Sequence, residues 1–177
     1  MIEKVAGTSF YFAYGSNMCT RNLQKTSPSA VPLGVARLPG HELQFRKSSG
    51  RPEEGGSSMP FPTGKPDSVV WGVLYRMADK DLEALVRLED GHYGYDPTPL
   101  GVFPRGSDQK VMAIVFCARP QDIDQSIRPF DWYLRWCLEG AWLNDLPADY
   151  IKKSIMEQEW IRDPNDKQRA ECLSVTC

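Results

Sequence analysis

The chain has 177 residues, of which 41% are apolar, and its 21 basic and 23 acidic residues give a formal net charge of −2. This length suits one domain with a buried core, and the chain shows no basic block, membrane-length apolar run or signal-type segment. We therefore expect a cytoplasmic protein that binds a small neutral or zwitterionic molecule and neither a nucleic acid nor a membrane. A single domain is expected over residues 1–160, followed by a polar tail at 161–177.

The cysteine and histidine residues form no recognisable metal-binding motif. Five cysteines are scattered along the chain without the close spacing of zinc or thioredoxin-like sites, and their odd number indicates reduced thiols. Only His41 and His92 could supply an imidazole group. We therefore expect no metal site, and Cys-His catalysis has few candidate groups.

Residues 10–18 form the most informative stretch of the sequence. Phenylalanine and tyrosine at alternating positions predict a β-strand over 10–14 that is buried on at least one face. Gly15 permits a sharp exit, and Ser16 or Asn17 is expected to cap a helix that continues to about residue 25. The first backbone N–H groups of that helix would suit an anion, although an ordinary strand-to-helix turn has the same pattern.

Most of the regular structure predicted for the middle of the chain is strand. Alternating or β-rich patterns predict strands at 31–38, 42–47, 69–77, 100–103 and 110–118. Gly72 in the strand 69–77 indicates a bulge or the close approach of another backbone. Residues 48–67 are rich in Gly, Ser and Pro and predict a long loop, in which Pro60 and Pro62 would interrupt strand pairing.

A helix that begins near Asp79 places one carboxylate on its apolar face. The helical series of Leu82, Leu85 and Val86 continues to Glu89, whereas other charged residues occupy the opposite face. Burial and the negative end of the helix dipole near Gly91 would both raise the pKa of Glu89, which suits a general acid–base catalyst. Alternatively, the last turn frays and Glu89 bends out to water.

The last third of the chain predicts helices at about 129–143 and 148–160. They follow a turn at 92–97 that carries two tyrosines, and the aromatic residues of the first helix have the spacing of core residues. Beyond residue 161 large apolar residues become rare, and we expect a loosely held tail.

Residues 11–18, Tyr-Phe-Ala-Tyr-Gly-Ser-Asn-Met, resemble the signature strand and loop of the γ-glutamylcyclotransferase family. Further similarities follow in the family's order over roughly residues 9–160: Val35–Leu38, the glycine-serine loop, Val70–Leu74, the helix ending in Glu89, and Leu146-Pro147 with Tyr150. The resemblance implies an α+β fold, namely a compact mixed β-barrel with flanking helices and a cavity at one end of the barrel. By the same analogy, a homodimer would be unsurprising.

The resemblance also implies which residues form the site. In the family, a buried glutamate transfers protons and the loop after the first strand holds the amino-acid head of a γ-glutamyl group, which assigns catalysis to Glu89. The substrate-binding residues assigned in this way are Tyr14, Gly15, Ser16, Asn17, Tyr95 and Tyr133. Two departures concern this region: Asp90 stands between Glu89 and Gly91 where members read Glu-Gly, and the segment before Tyr95 is about one residue shorter.

The implied reaction is an intramolecular cyclisation that needs neither a metal nor an organic cofactor. The α-amino group of a γ-glutamyl compound attacks its own γ-carbonyl, giving 5-oxoproline and a free amine, with Glu89 as general base and then acid. Two alternatives stay open, namely Cys19 as a nucleophile at a helix start and a non-catalytic module that binds or senses a γ-glutamyl metabolite.

The leaving amine is not specified by these motifs. Glutathione metabolism, dipeptide recycling and removal of a γ-glutamyl protecting group in secondary metabolism would share one head-group pocket. The part of the site that differs would be the far wall, for which the loop 48–67 and the aromatic helix near Trp132 and Tyr133 are the candidates.

Overall fold

The structure, a computed structural model, describes residues 2–48 and 55–177. The strands in these ranges are β1 (Thr8–Ala13), β2 (Val31–Pro39), β3 (His41–Lys47), β4 (Ser57–Pro62), β5 (Val69–Ala78), β6 (Tyr95–Pro104) and β7 (Val111–Ala118). Five of them close a mixed barrel in the order β1-β5-β2-β6-β7, while β3 and β4 form a two-stranded sheet. The predicted mixed barrel is therefore confirmed.

The aromatic strand β1 closes the barrel. It pairs antiparallel with β5 and, through Tyr11, parallel with β7. Tyr11 and Phe12 are both buried, so the two faces of β1 pack against the rest of the protein. A Cβ atom on Gly72 would lie 2.2 Å from the carbonyl oxygen of Ala13, so this glycine permits the close approach of the β1 and β5 backbones that the sequence predicts.

The strand β4 lies inside the segment predicted to be a loop. It pairs antiparallel with β3, and Leu43 lies opposite Pro60 and His41 opposite Pro62. The prediction that these prolines interrupt pairing is wrong, because residues two apart in a strand direct their backbone nitrogens to the same edge, and in a two-stranded sheet the outer edge needs no donor. Residues 49–54 of the predicted loop lie outside the described residues.

The helices of the described ranges are α1 (Thr20–Leu23), α2 (Asp79–Leu88), α3 (Asp131–Leu143), α4 (Ala148–Ile151) and α5 (Asp166–Ser174). Short 3₁₀ turns occupy Ser16–Met18 and Pro120–Asp122, and π-helical turns occupy Glu89–Tyr93 and Lys152–Met156. None of these helices is both long and apolar enough to cross a membrane.

The single helix predicted after β1 is divided in the structure. A 3₁₀ turn at Ser16–Met18 is separated from α1 by Cys19, whose backbone is extended. Neither Ser16 nor Asn17 caps a helix with its side chain, so that prediction is wrong. The Asn17 amide instead donates across the molecule to Tyr11 and Glu89, which are contacts that local sequence rules do not reveal.

The helix α2 has the predicted apolar face but differs at both ends. Ala78, and not Asp79, is its N-cap residue, and Asp79 accepts a hydrogen bond from Ser9 at 2.6 Å. At the other end the chain continues from Glu89 into the π-helical turn, which ends at Gly94 with a φ of 73°. Glu89 is therefore held within a helical turn and does not lie on a frayed end.

Two further predictions are corrected toward the C-terminus of the chain. The strand predicted at 100–103 begins at Tyr95, because β6 pairs along the whole of β7. The loosely held tail contains α5, which is fastened to α3: Arg169 forms a salt bridge with Asp131, and Trp136 donates to the Cys172 carbonyl. These contacts hold α5 in place, although the polar composition of the segment does not predict them.

Candidate active site

The residues assigned by the resemblance come together at one end of the barrel. A cavity of about 450 Å³ is lined by Tyr14, Gly15, Ser16, Asn17, Glu89, Tyr95 and Tyr133. The register of the barrel explains this convergence, since β1 and β7 run parallel and β6 runs antiparallel to β7. The ends of β1 and β7 and the start of β6 therefore meet at the same rim.

Asn17 links the loop after β1 to the carboxylate after α2. Its side-chain amide nitrogen Nδ2 donates to the hydroxyl of Tyr11 at 3.1 Å and lies 3.4 Å from Oε1 of Glu89. Tyr11 also lines the cavity and is only 3% exposed. The Glu89 carboxyl group is thus turned inward, as the helical pattern predicts, and Asn17 orients it.

The surroundings of Glu89 adjust its proton affinity. Burial raises the pKa of its carboxyl to about 7, and the Asn17 hydrogen bond and the charge of Lys47 oppose that shift. Lys47 is itself buried, and its ammonium group lies 5.0 Å from the centre of the Tyr95 ring. A carboxyl with a pKa near neutrality is suited to accept a proton and to return it.

The backbone of Gly15 lies directly against β4. A Cβ atom at this position would come within 2.2 Å of the Ser58 hydroxyl oxygen, so a side chain here would displace either that hydroxyl or the loop. The Ser58 hydroxyl is 2.8 Å from the hydroxyl of Tyr133, which also accepts from the Ser58 backbone N–H at 3.2 Å. The loop that follows β1, the strand β4 and the helix α3 are thereby held together around one side of the cavity.

Neutral tyrosines form much of the inner wall. The hydroxyl of Tyr14 donates to the carbonyl of Phe116, and that of Tyr95 donates to the carbonyl of Ser58 at 2.7 Å. Burial raises the pKa of Tyr14, Tyr95 and Tyr133, so these phenols stay protonated at neutral pH. Of these four described side chains, Glu89 is therefore the one whose ionisation changes in this pH range.

The 3₁₀ turn after Gly15 lies beside the cavity, which Ser16 and Asn17 both line. The amides of Met18 and Cys19 bond back to the carbonyls of Gly15 and Ser16 at 3.0 and 3.2 Å. The amides of Ser16 and Asn17 precede them, where a helical turn has no acceptor of its own to offer. Two adjacent N–H groups at this point suit a carboxylate or an oxyanion.

Several lining residues were not assigned from the sequence. Tyr11, Ser58 and Lys25 all line the cavity. The alternation of β1 could have indicated Tyr11, but Ser58 belongs to the strand that was predicted as a loop. Lys25 follows α1, and no local signal distinguishes it from other surface lysines.

The alternative in which Cys19 is a nucleophile finds little support in the geometry. Cys19 is 4% exposed, and it is absent from the described residues that line the cavity. Within residues 2–48 and 55–177, no group of three or more His, Cys, Asp or Glu side chains could hold a metal ion.

The sequence and the fold of this chain are similar to those of known proteins. The AIG2-like family model matches residues 69–153. A γ-glutamylcyclotransferase of Bos taurus is 35% identical over 152 residues, covering 83% of this chain and 78% of the bovine one. A γ-glutamylcyclotransferase of Homo sapiens is 30% identical over 146 residues, covering 81% of this chain and 75% of the human one. A solved γ-glutamyl cyclotransferase structure superposes with a TM-score of 0.80 at 25% identity, covering 94% of this chain and 98% of that one.

Proposed function

The chain belongs to the γ-glutamylcyclotransferase family of enzymes, and we propose that it converts γ-glutamyl amino acids, peptides or amines to 5-oxoproline and the free amine. The observation that carries the proposal is the inward carboxyl of Glu89, 3.4 Å from Asn17 Nδ2 and with a pKa raised to about 7. Family membership supports the reaction class, and this carboxyl supports the mechanism.

The loop after β1 would hold the amino-acid head of the substrate. The backbone N–H groups of Ser16 and Asn17 would bind its α-carboxylate or the oxyanion that develops at the γ-carbonyl. The cavity wall near them is formed by neutral tyrosines, which add hydrogen-bonding groups without adding charge. Such a site suits a zwitterionic head group.

Glu89 would transfer one proton in each direction. Its carboxylate removes a proton from the α-ammonium group, and the free amine attacks the γ-carbonyl carbon to form the five-membered ring. As the bond between that carbon and the departing nitrogen breaks, the protonated Glu89 returns the proton to the departing nitrogen. The ring nitrogen, which became positively charged on attack, loses its second proton to water or to the freed amine, so that the lactam is neutral. The nucleophile and the carbonyl belong to one molecule, so the site only has to fold the substrate into a reactive conformation.

Release of 5-oxoproline from γ-glutamyl amino acids, glutathione and γ-glutamyl amines tests this proposal. Glu89→Gln keeps the size of the side chain but removes the base, so kcat should fall by about 10² or more for every substrate. Glu83→Gln is the matched control, because Glu83 is an exposed carboxyl on α2. Turnover in Glu89→Gln equal to that of the wild type would refute the assignment.

Calorimetry on the same panel separates catalysis from binding alone. Glu89→Gln should still bind the substrates, because the head-group loop is unchanged. If the wild-type protein also binds them without releasing 5-oxoproline, the protein would instead be a module that binds a γ-glutamyl metabolite.

A further inference from the structure

The cavity changes character from its inner end to its mouth. The inner residues Tyr11, Tyr14 and Tyr95 are no more than 7% exposed, whereas Lys25 is exposed and Trp136 is half-buried. All five line the same cavity. If the γ-glutamyl head occupies the buried end beside Glu89, the group attached to its γ-carbonyl must extend toward this mouth.

Two tryptophans of α3, one buried and one half-buried, give the cavity a carbon surface that leads toward its mouth. The rings of Trp132 and Trp136 have centroids 4.9 Å apart. Their N–H groups are engaged elsewhere, that of Trp132 with Asp163 at 2.8 Å and that of Trp136 with the Cys172 carbonyl at 3.0 Å. Because these donors are already paired, the rings offer mainly apolar surface to a ligand.

Lys25 adds a positive charge to the exposed part of the same cavity. Its ammonium nitrogen donates to Oδ1 of Asn22 at 3.2 Å, and both residues line the cavity. Among the described lining residues, Lys25 is the only basic one and Glu89 the only acidic one. A carboxylate on the departing group would therefore be attracted to the mouth and kept away from the catalytic carboxyl.

We propose that Lys25, Trp132 and Trp136 form an outer subsite that selects leaving amino acids with an apolar side chain and a free α-carboxylate. This inference rests on the proposed cyclisation, because the subsite acts on the group that the reaction releases. A γ-glutamyl amine lacks the carboxylate that Lys25 would bind, and a small leaving residue covers little of the indole surface. The preferred substrates are therefore γ-glutamyl dipeptides whose second residue is large and apolar.

Three substrates separate the charge contact from the apolar contact. These are γ-glutamylphenylalanine, its C-terminal amide and γ-glutamylalanine, compared by kcat/KM for 5-oxoproline release. The wild-type enzyme should prefer the free acid to the amide by about three- to five-fold, because an exposed ion pair contributes modestly. Its kcat/KM should be about ten-fold higher for γ-glutamylphenylalanine than for γ-glutamylalanine, because the larger side chain is partly buried against the indole rings. Added salt should reduce only the first preference.

Variants at the outer subsite then assign each preference to its residue. Lys25→Gln should bring the acid-to-amide ratio close to one, whereas Lys25→Arg should retain it. Lys153→Gln, which changes an exposed lysine outside the cavity, should leave that ratio as in the wild type. Trp136→Leu should lower the ratio of kcat/KM for γ-glutamylphenylalanine to that for γ-glutamylalanine, mainly because the KM for γ-glutamylphenylalanine rises.

The outcomes distinguish failure of the subsite from failure of the proposed function. If the substrates are turned over but acid and amide react equally well, or Lys25→Gln keeps the wild-type ratio, the outer subsite is overturned while the cyclisation stands. If no substrate yields 5-oxoproline, the proposed function fails and the subsite fails with it.

Discussion

The proton affinity of Glu89 depends on its burial and on two groups from separate parts of the chain. Burial raises its pKa, while a hydrogen bond from Asn17 and the charge of Lys47 lower it, and the result is a value of about 7. Without burial the carboxyl would be a weaker base, and without the two opposing groups it would remain protonated at neutral pH. The proposed role of Glu89 as a base would therefore depend on the balance between these surroundings.

Removal of the Lys47 charge should displace the acidic limb of the pH–rate profile. Glu89 must be ionised to act as a base, so wild-type kcat/KM should fall as the pH drops below about 7. Lys47→Gln removes a cation that favours the carboxylate, so the limb should move to higher pH. Lys47→Arg keeps the charge and serves as the control. A limb that stays in place in Lys47→Gln would show that the charge has no such effect.

A side chain at position 15 should block the site, and a second substitution should relieve part of the block. In Gly15→Ala the new methyl group would overlap the Ser58 hydroxyl oxygen, so kcat/KM should fall by about 10² or more as the loop moves from its position. Adding Ser58→Ala removes that oxygen and leaves the Ser58 Cβ at 3.4 Å, an ordinary contact distance. The double variant should therefore be more active than Gly15→Ala, and equal activities would argue against this clash.

The sequence predicts some functional residues better than others. Glu89 and the Gly15 loop were identifiable because a helical pattern and a local motif mark them. Lys47 and Ser58 were not, because their importance arises from neighbours that are distant in the chain. Lys47 lies beside the Tyr95 ring, and Ser58 meets Gly15 through a strand pairing that the prolines of β4 conceal.

At the scale of elements, α5 holds the outer face of α3. The Trp136 indole and the Arg135 guanidinium of α3 donate to carbonyls near the end of α5, at 3.0 and 3.1 Å. Asp131, in the first turn of α3, accepts from Arg169. The aromatic wall of the cavity is thus supported by a segment that the sequence predicts to be loosely held, because its polar composition hides contacts made only in the folded chain.

Loss of the α3–α5 salt bridge should destabilise the fold. The Asp131 side chain is only 13% exposed, so Arg169→Ala leaves a poorly hydrated carboxylate without its partner and should cost about 1–2 kcal/mol of unfolding free energy. Arg162→Ala is the control, because its salt bridge with Asp166 is 64% and 78% exposed and should contribute less than about 0.5 kcal/mol. Urea unfolding measures the loss of unfolding free energy in each variant. Equal losses in Arg169→Ala and Arg162→Ala would show that the burial of Asp131 does not strengthen its salt bridge.

Across the whole molecule, the barrel brings segments that are distant in the chain to one rim. Local sequence patterns predict the strand at 69–77 and the helix that begins at residue 79. The barrel itself was predicted only from the family resemblance. Closure through the parallel pairing of β1 with β7, by contrast, joins residues about one hundred positions apart. No local sequence pattern predicts such a contact. It nevertheless brings the loop after β1 close to Glu89, so that Asn17 Nδ2 lies 3.4 Å from the carboxyl.

The stability cost of a buried base should be visible as a dependence on pH. The folded pKa of Glu89, about 7, lies above the ordinary value of 4.5, so its protonated form favours folding at low pH and this contribution is lost as the pH rises through about 7. Above that pH, the penalty relative to acidic solution reaches at most about 3 kcal/mol. Glu89→Gln does not titrate, so its stability relative to the wild type should rise between pH 4.5 and about 7.

Urea unfolding of the wild type and Glu89→Gln across this pH range measures the difference, with Glu83→Gln as the control for loss of a charge on the same helix. Other titrating groups contribute equally to both proteins, so they cancel in the comparison. Parallel stability curves for the wild type and Glu89→Gln would mean that Glu89 titrates alike in the folded and unfolded chains. An increasing advantage of Glu89→Gln toward neutral pH, together with its loss of turnover, would show that the enzyme gives up stability to keep a base in its cavity.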